Sequence, residues 1–209
     1  MEWLDFSASA LRLSIPVLIC AIGALYSERS GIVNIGLEGM MLTGAFWGAF
    51  GALHGGPVAG VALAVLAGTL LGLLHAVVTV SCRTDQIVSG VAINMLAHGP
   101  ARFFSYSLFG AATTSPPVAA LPKHSIAGLP ELSCFVPLGF GLVLVAWFVL
   151  ERTVFGLRLK SAGENPAAAD SLGVDVTACR YAGVLIGGAL AGLAGAYLSV
   201  EHTGMYVEG

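Results

Sequence analysis

The sequence is poor in charge. Nine of its 209 residues are Lys or Arg and twelve are Asp or Glu, a charged share of 10%, where a soluble domain carries about 25%. Nine scattered cations make no basic footprint, which excludes nucleic acid as a partner. Cysteine is sparse as well. Cys20, Cys82, Cys134 and Cys179 lie far apart with no CxxC pair, so a disulfide framework is excluded and each reads as a small apolar core residue. The patterns GxxxxGKS/T, HExxH and GxSxG are missing too. The chain therefore has no recognisable route to nucleotide hydrolysis, and no catalytic residue, cofactor or metal is assigned to it. If ATP drives its work, the ATPase is another chain.

Apolar residues fill the space that charge leaves. They make up 56% of the chain, with a mean hydropathy of +0.87. That content excludes disorder, and a chain this size has too little interior to hide it from water. It also comes in long runs, so the solvent is lipid. Six spans are expected, at 12–26, 34–53, 57–80, 86–109, 134–151 and 181–200, most of them near the ~20 residues a crossing helix needs. Glu2 and Asp5 precede the first span where a cleaved leader would carry positive charge. The expected fold is all-α: one polytopic transmembrane bundle over residues 1–209, with no soluble domain.

Loop cations orient the bundle. Arg29, Arg83, Arg152, Arg158, Lys160 and Arg180 fall on one side and only Lys123 on the other. The positive-inside rule then puts the N-terminus outside and the 152–180 loop in the cytoplasm, with 111–133 and 201–209 outside. The 111–133 loop carries Pro116, Pro117, Pro122 and Pro130 and reads as an ordered plug or partner contact rather than a helix.

Glycine is abundant, at 28 residues. Gly60, Ala64, Gly68 and Gly72 make a step-four stripe, repeated by Gly44/Gly48, Gly183/Gly187 and Gly188/Gly192. Small residues at that step share a helix face and let backbones approach closely.

Two polar clusters interrupt the apolar runs. Asn34 and Glu38 are four residues apart and would share a helix face, but Gly31, Gly36 and Gly39 weaken a helix there. A broken or re-entrant start is expected, with Glu38 either paired to a neighbouring backbone or Arg, or meeting a solute. Further on, Gln86, Gly90, Asn94, His98 and Arg102 recur at every fourth residue. At 1.5 Å per residue, Asn94 lies ~12 Å and His98 ~18 Å from the cytoplasmic end, both at mid-membrane depth. The stripe reads either as inter-helix hydrogen bonding or as the polar wall of a solute path. His54, His75, His124 and His202 are isolated and read as surface or packing residues.

The 152–180 loop is the one extended internal loop. Asn165 is a good N-cap, Pro166 an ideal first helical residue and Gly173 a natural stop, so a helix of about two turns is expected over 167–172. A helix that short is unstable alone in water and must pack on its own bundle or on a partner.

These residues carry a family resemblance. The run from Ser30 to Leu42, SGIVNIGLEGMML, resembles the signature of one family of bacterial ABC-importer permeases, which serves branched-chain amino acids, ribose-type sugars and nucleosides. Gly156-Leu157-Arg158, Gly163 to Ala167 and Ser171 to Val174 resemble its cytoplasmic coupling loop, and Asp85 to Asn94 looks like the nucleoside branch. The resemblance implies a transport subunit of the bacterial inner membrane rather than an enzyme. Its implied partners are cytoplasmic ATPase subunits, a second permease subunit, an external or periplasmic solute-binding protein, the lipid bilayer and a small solute. It implies that Gly163, Glu164, Asn165, Pro166, Ala167, Ala168 and Gly173 build the ATPase-coupling helix. Family members continue with further spans after that loop, so the chain is expected to be the N-terminal two-thirds of a longer permease. The substrate path is expected to use Gln86, Asn94, His98, Asn34 and Glu38. Of these, Gln86, Asn94 and His98 offer donors and acceptors without a strong fixed charge, and Phe103, Phe104 and Tyr106 could stack on a base. A nucleoside is therefore expected, with a simple sugar next and a branched-chain amino acid third. An ion-driven carrier and a non-transporting scaffold are the competing readings.

Overall fold

The computed structural model describes residues 2–118 and 134–207. Its helices are α1 Glu2–Arg29, α2 Leu37–Ala76, α3 Gln86–Phe109, α4 Phe135–Arg152, α5 Val154–Glu164, α6 Pro166–Ser171 and α7 Val176–Ala196. α2 and α7 run on into π-helical turns, Val77–Ser81 and Tyr197–His202. The all-α bundle expected from the sequence is what these elements form.

Caps explain where the helices start and stop. Asp85 begins α3 by accepting from the backbone N–H of Ile87 at 2.9 Å and of Val88 at 3.0 Å, which meets two donors that a helix start leaves unpaired. Asp175 does the same for α7 through Ala178 N–H at 2.8 Å.

Four stretches are long and apolar enough to cross a membrane: Ser9–Arg29, Leu37–Ser81, Phe135–Arg152 and Val176–His202. The second has 45 residues, twice what one crossing needs. It breaks at Gly56, whose φ of 82° and ψ of 173° leave the helix just before Pro57. Across the break, a Cβ on Gly60 would sit 2.6 Å from the Gly48 carbonyl and 3.0 Å from the Ala52 Cβ, and one on Gly48 would sit 3.4 Å from the Ala64 Cβ. Residues equally distant from 56 therefore meet, so limbs 37–55 and 57–76 run antiparallel. The six expected spans compare with these four stretches, one of them doubled. α3 falls outside the four because its polar stripe lowers its apolarity.

α7 is the packing centre, and its glycines divide between two faces. On one, a Cβ on Gly183 would lie 2.7 Å from Ser30 Oγ and one on Gly187 2.6 Å from Ser27 Oγ, against α1 and its end. On the other, a Cβ on Gly188 would lie 2.6 Å from the Gly68 carbonyl, and one on Gly44 2.7 Å from the Gly192 Cα, against both limbs of α2. The small-residue stripes thus do the helix packing expected of them. α4 closes the other side, with Phe135 and Val136 buried against Ile15, Ile19 and Tyr197.

One element was not expected. Residues 154–164, read from the sequence as loop, form α5, an 11-residue helix. Thr153 caps it, its Oγ1 accepting from Gly156 N–H at 3.2 Å. Leu159 and Ala162 are fully buried beside Tyr26, Leu150 and Cys179. That burial is a tertiary contact, and the Arg158 and Lys160 on either side of Leu159 mask it in the sequence.

At the far end of the bundle, the described part of the Pro-rich loop pairs with the segment after α7. Ser115 N–H donates to the Tyr206 carbonyl at 3.0 Å and Val118 N–H to the Gly204 carbonyl at 2.8 Å. Pro122, Lys123, His124 and Pro130 lie outside the described residues.

Candidate functional site

The site begins where α1 gives way to α2. α1 stops at Arg29, and Gly31 turns the chain with φ 85°. Residues 31–36 form no regular helix before α2 starts at Leu37. A break at membrane depth is tolerable only if its backbone groups find partners inside the protein. α3 provides them. Gln86 Oε1 accepts from Val33 N–H at 2.7 Å, and its Nε2 donates to the Gly31 carbonyl at 3.4 Å. Asn94 Oδ1 accepts from Gly39 N–H at 2.8 Å, and its Nδ2 donates to the Ile35 carbonyl at 3.2 Å. Between them Gly90 lets the two backbones meet, since a Cβ there would lie 3.0 Å from Gly36 N. The step-four stripe on α3 is the surface on which the broken segment rests.

Asn34 is spent locally. It is buried, its Oδ1 accepting from Gly36 N–H at 3.1 Å while its Nδ2 contacts Met40 Sδ at 3.7 Å. It does not share a helix face with Glu38, because it lies in the non-helical segment and Glu38 in the first turn of α2.

Glu38 and His98 do come together. They line a cleft of about 290 Å³ with Leu42 of α2 and Ser199, Thr203 and Met205 at the end of α7. Glu38 is exposed and His98 half-buried. The cleft offers one carboxylate, one imidazole and two hydroxyls among apolar walls. Ser199 and Thr203 were missing from the sequence-based candidates. Their step-four spacing is a weak signal, and the sequence alone placed Thr203 beyond the last span.

Two further polar residues are buried in the bundle. His75 is fully buried, with Nδ1 3.0 Å from Ser89 Oγ. Glu201, just past the last expected span, is 4% exposed in the π-helical turn, and neither carboxylate oxygen has a hydrogen-bond partner.

In the 152–180 segment, α6 forms as expected. Asn165 Oδ1 accepts from Ala168 N–H at 3.1 Å, Pro166 is the first helical residue, and Gly173 follows the helix with φ 81°. Ala169 is buried, whereas Ala167, Ala168 and Leu172 face outward, Leu172 at 84% exposure. Gly163 and Glu164 belong to the last turn of α5 rather than to α6. Among the described residues no cluster of three His, Cys, Asp or Glu is placed to hold a metal.

These features match known proteins. The family described as branched-chain amino acid transport system, permease component, matches residues 7–208. The guanosine ABC transporter permease protein NupQ of Bacillus subtilis is 40% identical over 90% of this chain and 64% of its own length. The nucleoside ABC transporter permease protein NupC of Lactococcus lactis is 37% identical over 95% of the chain and 68% of its own. A putative glucose ABC transporter permease protein of Haloferax volcanii is 33% identical over 99% and 67%. The chain thus spans about two thirds of the length of these relatives. No solved structure matches it. Such relatives and the apolar helices make this a multi-pass membrane protein, and the chain belongs to the family of branched-chain amino acid transport system permease components.

Proposed function

We propose that the chain forms part of the membrane-spanning permease of an ATP-binding-cassette importer, and that its solute is a nucleoside. The observation that carries this is its likeness to the guanosine and nucleoside permeases, at 40% and 37% identity. The Glu38–His98 cleft supports it, since its lining holds one carboxylate but no Lys or Arg to compensate an amino acid's carboxylate in a low dielectric. In this reading Glu38 and His98 line the path, Asn34, Gln86 and Asn94 shape it from behind, and the chain transports rather than catalyses.

The outward face of α6 seats in a cytoplasmic ATPase subunit, which converts nucleotide binding into motion. A second permease subunit completes the path, and an external solute-binding protein delivers the solute. The membrane is the bacterial inner membrane, with the N-terminus outside. The likeness to a permease named for glucose favours a simple sugar as the second reading.

Competition uptake in cells carrying the intact permease with its ATPase and binding protein decides between them. Guanosine, adenosine or uridine should suppress uptake of a labelled nucleoside, and glucose, ribose and leucine should not. Suppression by a sugar or by leucine alone would reject the nucleoside.

A further inference from the structure

Residues 31–39 are gripped from two sides by contacts of different kinds. On the first side is α5. A Cβ on Gly31 would lie 3.0 Å from the Gly163 Cα, and one on Gly163 would lie 2.9 Å from Gly31 N, so the two backbones touch with no side chain between them. Gly31 is also where the chain turns out of α1, at φ 85°. On the second side is α3, whose Gln86 and Asn94 amides bond Val33, Gly31, Gly39 and Ile35.

The two grips differ mechanically. Close-packed backbones transmit displacement, because neither can move into the other. α5 and α6 are separated by Asn165 alone, whose N–H donates to the Ser161 carbonyl at 3.1 Å while its side chain caps α6. A push on α6 therefore reaches Gly163, and through it Gly31. The α3 grip consists instead of single side-chain bonds, which exchange one at a time without unravelling a helix. Glu38, on the cleft, immediately precedes the clamped Gly39.

We propose that residues 31–39 are the coupling element of the transport cycle. Motion at α6 enters through the Gly163–Gly31 contact, and Gln86 and Asn94 are positioning residues that hold the element in the arrangement seen here. The proposal rests on the importer reading above.

Hydrogen–deuterium exchange on the full permease with its ATPase, in lipid nanodiscs, tests it. Exchange in a peptide covering 30–40 should change about tenfold between the nucleotide-free and ATP–vanadate states, within the range for coupled sites. A peptide from the α7 packing centre should not change. A response at 164–173 with none at 30–40 would overturn the proposal without any variant being needed. Gly163→Ala, whose Cβ would press on the Arg29 carbonyl and on Gly31 N, should lower uptake per ATP hydrolysed about tenfold. Asn94→Asp, which keeps the acceptor for Gly39 N–H, should retain more uptake than Asn94→Leu, and both should lower the maximal rate at unchanged KM. A raised KM at unchanged maximal rate would make Asn94 a solute contact and reject the positioning role. If the unaltered complex neither hydrolyses ATP nor takes up any nucleoside, the importer reading fails. If it transports while 30–40 stays unresponsive, only the coupling element fails.

Discussion

A single absent side chain decides how closely two helices approach. A Cβ on Gly44 would lie 2.7 Å from both the Cα and the carbonyl oxygen of Gly192, so Gly44→Ala must push α2 off α7. Overpacking of this kind costs about 1–3 kcal/mol, and the detergent-solubilised protein should melt at a lower temperature. Gly99, inside α3, has nothing within 4 Å of its Cβ position. Gly99→Ala should therefore leave the melting temperature unchanged or raise it, by up to ~1 kcal/mol of helix propensity. A thermal melt of the two variants side by side checks both signs. The amides obey a different rule. Asn94→Leu leaves Gly39 N–H and the Ile35 carbonyl without their partner, at about 1–3 kcal/mol for the buried Gly39 N–H left unpaired. Asn94→Asp keeps the first bond, so its melting temperature should lie between those of wild type and Asn94→Leu.

At the scale of elements, α6 is a short helix whose every boundary is set locally. Gly173 sits at φ 81°, which proline cannot adopt and which lets the chain leave the helix. Gly173→Pro should abolish ATP-coupled uptake while the protein still inserts in the membrane. Ala168→Arg should do the same for another reason. Ala168 is exposed on the outward face, and a long cation there obstructs a docked partner. Co-purification of the ATPase with the tagged permease, measured beside uptake, separates the two. Ala168→Arg should lose the ATPase, and Gly173→Pro should weaken its hold and lose uptake. Normal uptake by both would remove α6 from the coupling route. The caps that make this helix, Asn165, Pro166 and Gly173, were legible in the sequence because capping is a matter of neighbouring residues. α5 was not, because Leu159 and Ala162 find their apolar partners on α1, α4 and α7.

For the whole molecule, the testable quantity is orientation. Cys134 and Cys82 are exposed, whereas Cys179 is buried and Cys20 half-buried, so only the first two report. With the N-terminus outside, an impermeant maleimide should label Cys134 on intact cells and Cys82 only after permeabilisation. The opposite pattern would invert the bundle and move α6 away from the cytoplasm. The pH dependence carries a sign as well. Although Cys134 reaches solvent, partial desolvation of its thiol, and then the nearby Glu201 carboxylate, push it above its ordinary range. Less of it is thiolate at neutral pH, so labelling should be slow there and keep rising with pH beyond the point where an ordinary cysteine levels off.

The sequence by itself determined the medium and the packing rule. Low charge, long apolar runs and step-four glycines leave a helical bundle in lipid as the one stable outcome, and residues four apart share a face whatever the tertiary arrangement. It also determined that the chain breaks near Gly31 and Gly36, since glycine weakens a helix locally. Only the tertiary structure decided what the polar residues are for. Gln86, Asn94 and His98 are chemically alike as a stripe, yet the first two face an unpaired backbone and the third a cleft. Asn34 turned inward and Glu38 outward for the same reason. A hydrogen-bonding side chain takes its role from the group that lies opposite it, and that group is brought there by residues more than 50 positions away.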